Sequence, residues 1–419
     1  MPCGAQPPPL RSSCRWPSPA QLSVRPRGPW DDWHPPAVAY PEPNGYDVYL
    51  ETFKLLEEID ARHREPPEPN PDPATWKYVP REHWWDVGPE DLTPMQRLEE
   101  YAEVMATARR AIAMDCRFPP ALGIDDTLPP LAQASQTAGF FGLEAHVRAE
   151  NGKTGLAAGS ALDCFEIAND VLTRRCEFAL IIAPVIVSTG MRSLQEALPG
   201  LSAEECQSTI RRLADIEAQR VPMSEIIDGQ EVLVRSAFKE LLLDPRNVAI
   251  LWELWVEPLD VPEGELTGPI NLEASWAQLT TYFDELRARS ELPYPERQEP
   301  ERPACVPARL LVASGWQGSW ARDADWTTDF ALARAELAAR LFLLDQGRLP
   351  ADLTSLVPQY LDRVPLDEFA NAPLRSRMAD GALVIYSIGP DGEDNGGEHK
   401  SFSMRYWDKG DIAVRVEAP

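Results

Sequence analysis

The sequence predicts a multidomain, mainly α-helical chain that ends in a small α+β unit with an antiparallel sheet. Three observations lead there. At 419 residues the chain is longer than one hydrophobic core usually serves. Helix-start signals and apolar residues at helical spacing recur through its middle. Beyond Gly347 the pattern changes to short elements, and residues 383–387, 402–407 and 412–416 are β-rich.

The N-terminal elements come first. Residues 1–43 are dense in proline and read as a disordered Pro/Arg-rich segment. A domain of N-terminal helices with an aromatic irregular segment follows over 44–125. Asn44 is placed to cap a helix carrying Tyr46, Tyr49, Phe53 and Leu56. The proline-rich stretch 65–73 ends that helix, and Trp76, Tyr78, Trp84 and Trp85 after it pin an irregular segment to a core. Thr93, Pro94 and Gln96 then form a capping box with proline at the first helical position.

The helical hairpin body spans 126–256. Residues 131–150 and 154–175 read as amphipathic helices separated by Asn151-Gly152, and Gly139, Ala145 and Ala161 would let helices approach closely. This unit resembles a tetratricopeptide-like helical hairpin, although no clean recurrence of about 34 residues runs along the chain. The segment 177–198 is apolar enough to be the buried centre, with a kink expected at Pro184. Ser202 and Glu205 start another helix with a capping box, and Asp244-Pro245 a short one carrying Val248, Leu251, Trp252 and Trp255. Residues 257–325 form a Pro/Glu-rich connector around one helix, 276–289.

The C-terminal domain, 326–419, opens with a long helix that Gly347 stops. The succession DQGRLPADLTSLVPQYLDRVPLDEFANAPLR, then VIYSIGPDGEDNGG, then GDIAVRV, resembles the C-terminal domain of the type II secretion major pseudopilin. The whole chain is similar to bacterial envelope proteins that join a helical body to this unit. The basic leader, the Gly-Phe-Thr-Leu-x-Glu junction and the apolar assembly helix of a pseudopilin are missing from this sequence. The resemblance therefore implies a shared fold rather than entry into a pilus.

The resemblance also implies a structural calcium ion, held by the Ile388 carbonyl, Asp391, Glu393, Asp394 and Asp411, with Asp408 nearby. The chemistry is reasonable, because calcium takes six to eight oxygens and crowded carboxylates repel until a cation joins them. Asp391, Glu393, Asn395 and Gly396 match the start of an EF-hand loop, but the twelfth position is Phe402 and no helices flank it.

Composition narrows the function classes. A net charge of −26 argues against a nucleic-acid partner. No apolar run approaches the ~20 residues of a bilayer span, so no transmembrane segment is expected. The Arg-containing N-terminus lacks an apolar region of the signal-peptide kind. The seven cysteines show no paired spacing, so buried thiols are expected rather than disulfides. His34, His63, His83, His146 and His399 are scattered, and residues 314–319 (SGWQGS) only superficially match a nucleophile elbow.

The sequence therefore reads as a non-catalytic scaffold or interaction protein. Its expected location is the bacterial cell envelope or periplasm, by resemblance, with the cytoplasm left open by the missing export signal. A protein or peptide partner is expected, docked in a groove of the helical hairpins. The alternative is a hydrolase-type enzyme with a dispersed acidic site in the helical body. A cleft holding buried, convergent acids would favour the enzyme, and a long apolar groove the scaffold.

Overall fold

Helix ends follow from local chemistry and set the element boundaries. Gln96 N donates to Thr93 Oγ1 at 3.3 Å while Thr93 N donates to the Gln96 side chain at 2.9 Å. Ser202 and Glu205 make the same reciprocal pair. Each pair satisfies amides that the first turn leaves without partners. At the other end, Gly347 adopts a left-handed φ of +67° and closes the longest helix.

The computed structural model describes residues 27–63, 87–123, 129–243, 271–312, 315–398 and 410–418. The expected aromatic segment around Trp76, Tyr78, Trp84 and Trp85 lies outside them, as do the Asp244-Pro245 helix, the 402–407 strand and Asp408. The described elements are α1 (Gly45–His63), α2 (Pro94–Glu100), α3 (Ala102–Ile112), α4 (Pro129–Glu150) and α5 (Thr154–Leu172). There follow α6 (Glu177–Ala197), α7 (Ala203–Ala218), α8 (Met223–Leu243), α9 (Leu272–Ser290), α10 (Val306–Leu311) and α11 (Gln317–Gln346). A two-stranded pair, β1 (Leu366–Asp367) and β2 (Ala372–Pro373), precedes an antiparallel sheet ordered β3 (Arg375–Ala379), β4 (Ala382–Ser387), β5 (Ile412–Glu417). The chain is mainly helical with a small antiparallel region near its C-terminus.

Helices α4, α5 and α6 pack on one another, with Gly152 at φ +69° turning α4 into α5. The close approach of α5 and α6 depends on Gly190. A Cβ there would stand 2.6 Å from the Phe165 ring and 2.9 Å from the Ala161 carbonyl. Ala161 was expected at such a contact, but Gly139 instead makes room for Val87, whose Cγ1 a Cβ would approach to 2.6 Å. Pro184 sits inside α6.

Helix α11 begins at Gln317, so the boundary drawn at residue 326 falls within it. It lies against α6 and α7 on one side and reaches β4 and β5 on another. Phe330 meets Phe165 edge-on at 4.9 Å, and Arg334 pairs with Glu217 at 2.9 Å. One cluster of buried apolar residues consequently runs from Trp30 to Val416. The N-terminal segment is irregular over 27–43, as expected of its prolines, yet Trp30 is buried between Phe238 and Trp276.

Strand β4 is buried at all six positions, where an antiparallel strand with one wet face would alternate. The loop after it supplies the second cover. Gly397, at φ +79°, comes so near that a Cβ would stand 2.8 Å from Val384 Cγ1.

One described helical stretch, Glu177–Gly200, is long and apolar enough to cross a bilayer, with a mean hydropathy of 1.4 over its best window. Half of that window is buried within this fold.

Candidate functional site

Along α5, Asp163, Glu166 and Asp170 are spaced three and four residues apart, which puts three carboxylates on one face of a largely apolar helix. Glu144 on α4 extends the row. Arginines from neighbouring helices neutralise most of it. Arg109 of α3 bridges Glu144 and Asp163, the latter at 2.8 Å. Arg148 reaches Glu144 at 2.7 Å, and Ser160 Oγ donates to it at 2.7 Å. Arg212 of α7 pairs with Asp163 at 2.7 Å and approaches Glu166 at 3.5 Å.

The ladder of arginines stops one step short. Asp170 takes a hydrogen bond from the Tyr49 hydroxyl at 2.8 Å and has no cationic partner among the described residues. Burial pushes its carboxyl well above the ordinary range; the Tyr49 bond opposes this and the charge of Glu166 adds to it. Glu166 is itself raised by burial, with Arg212 pulling the other way.

These two carboxylates line a cleft of about 440 Å³ between α5, the 112–117 loop, residues 39–41 and the end of α7 at Gln219. The loop is laced to the start of α1: Gly45 N donates to the Asp115 carbonyl at 2.9 Å, and Arg117 N to Asn44 Oδ1 at 2.9 Å. Gly45 is required there, because a Cβ would stand 2.9 Å from the Ala111 carbonyl. Arg117 turns its guanidinium to the Ala39 carbonyl at 2.8 Å. Asn169 lines the same cleft at 5% exposure, and its Oδ1 is buried without a hydrogen-bond partner. An acceptor in that state costs about 1–3 kcal/mol. Cys116 contributes a thiol, but burial first, then Asp170 and Asp47, push its pKa up and hold it protonated.

The residues expected to hold calcium lie elsewhere, around the loop after β4. Gly389, Gly392, Gly396 and Gly397 all take positive φ, which turns the loop back on itself. Asp411 is fully buried and accepts from Asn395 N at 3.2 Å and from Gly397 N. Asp391 accepts from Glu393 N at 3.0 Å, and Asp394 from Gly396 N at 2.9 Å, with Arg375 Nε 3.4 Å from its other oxygen. Ile388 is held by its own amide, which donates to Asp367 at 3.1 Å. Among the described residues, no three His, Cys, Asp or Glu side chains meet as a metal-holding group. Asp391, Asp394 and Asp411 accept turn amides, and each carboxylate keeps further lone pairs beside those bonds.

Of the expected features, His146 is placed beside Glu196, with Nδ1 3.0 Å from its Oε2. Residues 317–319 of the elbow-like stretch open α11. The cleft was not read from the sequence. Carboxylate pairs carry little information in a chain with 66 acidic residues. The usable signal is narrower: acids at spacings of three and four on a helix most of whose other positions are apolar or small. Against known proteins, no family model, no curated protein and no solved structure matches the chain.

Proposed function

We propose that this chain is a non-catalytic interaction protein of the bacterial cell envelope or secretion apparatus, whose helical body recognises a partner at the acidic cleft. The observation that carries the reading is Asp170, which lines an open cleft and, unlike Asp163 and Glu166 on the same helix, has no arginine within ion-pair distance among the described residues. Helix α11 packs against both α6 and α7, so a peptide groove on that face of the body is not part of the proposal. The same proposal includes α4 and α5 as a tetratricopeptide-like hairpin and residues 326–419 as a pseudopilin-like unit that displays or caps the body.

Capture from an envelope extract of the source cell, with the full chain and a Gln219→Trp variant, tests the reading. Gln219 is exposed at the cleft edge, so tryptophan there blocks entry without entering the core. A protein retained by the native chain and lost with the variant supports it, while equal retention by both refutes it.

A hydrolase in the same cleft is the second reading, favoured by the raised Glu166 and Asp170 carboxyls, which suit general acid–base work. It requires turnover of an ester, amide or glycoside substrate that Asp170→Asn abolishes.

A further inference from the structure

We propose that residues 27–43 act as a strap, latched at one end by Trp30 and Trp33 in the groove between α8 and α9, whose middle forms a movable wall of the acidic cleft. The latch acts on access to the cleft and stands whatever enters it.

The latched end is gripped as a bound peptide would be. Gly28 and Asp31 close a turn, with Asp31 N donating to the Gly28 carbonyl and Gly28 N to Asp31 Oδ2, each at 3.0 Å. The Trp30 ring beside that turn enters the groove, where it is 1% exposed and packs on Phe238 of α8 at 5.7 Å and Trp276 of α9 at 6.4 Å. Trp33 meets Trp276 edge-on at 5.8 Å. Lys239 of α8 donates to the Trp33 carbonyl at 2.9 Å and lies over its ring. The segment itself contains no helix or strand. Two aromatic anchors and a cationic clasp hold it, the side chains that carry most of the energy when a groove binds a peptide.

The other end is fastened separately. Asn44 donates to the Arg117 carbonyl at 3.0 Å and accepts from Arg117 N at 2.9 Å. Between the fastenings, residues 34–37, Ala39 and Tyr40 are exposed. Ala39, Tyr40 and Pro41 line the cleft, tied to the facing loop by an exposed bond from Arg117 Nη1 to the Ala39 carbonyl at 2.8 Å. Prolines at 35, 36, 41 and 43 fix φ and stiffen the span. A stiff span pinned at both ends holds its middle in place. Released at Trp30, it has little but an exposed hydrogen bond to keep the wall closed, and segments so held open at low free energy.

Cys116 lines the cleft with the wall, while Cys164, Cys176 and Cys206 are buried in the body. Iodoacetamide labelling of the full chain, with each site resolved by peptide mass mapping, therefore separates opening of the wall from unfolding. It needs no partner, so it is read independently of the capture experiment. Trp30→Ala should speed Cys116 labelling at least tenfold with the three buried thiols still protected. Lys239→Met, which removes the clasp at a half-buried position, should speed it severalfold. Excess synthetic peptide of residues 27–34 should displace the strap of the native chain and speed Cys116 likewise, and the same peptide with both tryptophans replaced by alanine should not. Selective labelling with the native peptide supports the latch even where Trp30→Ala unfolds the chain. Cys116 labelling unchanged by Lys239→Met and by the peptide overturns it. A rise that in every case accompanies labelling of Cys164, Cys176 and Cys206 also overturns it, because Trp30 would then belong to the core alone.

Discussion

Arg297 of the connector and Asp323 of α11 form an ion pair at 2.7 Å in which both side chains are less than one-tenth exposed. The other oxygen of Asp323 pairs with Arg220, between α7 and α8, whose guanidinium also donates to Thr327 Oγ1 at 2.6 Å and lies over the Trp326 ring. Arg297 continues to Glu368 at 3.5 Å. Body, connector and C-terminal unit are thereby tied at one carboxylate.

Removing that carboxylate leaves two guanidinium groups short of an anion. Asp323→Ala is expected to destabilise the chain by roughly 3–5 kcal/mol, since breaking a buried pair strands its partner. Urea unfolding should show a lower midpoint with an unchanged slope. A midpoint within error of the native value would mean that the tie contributes nothing.

Glu336 gives the chain a pH dependence. It is 1% exposed on α11, its Oε2 has no hydrogen-bond partner, and burial pushes its pKa up to about 8. The folded state therefore holds a proton that the unfolded state releases near pH 4.5. Its contribution is fully present below that value and is lost as pH rises towards 8, by roughly 3–5 kcal/mol in all. Glu336→Gln carries no titrating group, so its melting temperature should fall less between pH 5 and 8. Parallel curves for the two proteins would refute this.

Gly397 tests the cover over β4. Gly397→Ala places a Cβ against Val384 at a positive φ and should cost about 1–3 kcal/mol. Adding Val384→Ala relieves the clash but not the backbone strain, so the double variant should lose less than the two single effects combined. Full additivity in thermal melts would show that the two residues do not meet.

Calcium at the loop after β4 remains a proposal with its own measurement. Calcium there would have to gather Asp391, Glu393, Asp394, Asp411 and the Ile388 carbonyl around the ion, with Asp411 also accepting from the Asn395 and Gly397 amides. If it does, EDTA lowers the melting temperature of the full chain and added calcium restores it. Flat melts, with no calcium by elemental analysis, remove it.

The sequence by itself determined the elements whose causes are local. The Thr93 and Ser202 capping boxes, the Asn151-Gly152 turn, the stop at Gly347 and the strand at 383–387 depend on a few adjacent residues, and each is where the pattern put it. Tertiary structure decided what depends on distant partners. Trp30 lies in a proline-dense segment and is buried only because Phe238 and Trp276 meet it. The cleft has the same origin. Spacing aligns Asp163, Glu166 and Asp170 on one face, but which carboxylate lacks an arginine depends on where α3 and α7 deliver Arg109 and Arg212. Charge compensation acts through space, so Asp170 and Asn169 became distinguishable from the other acids and amides only once the helices were packed.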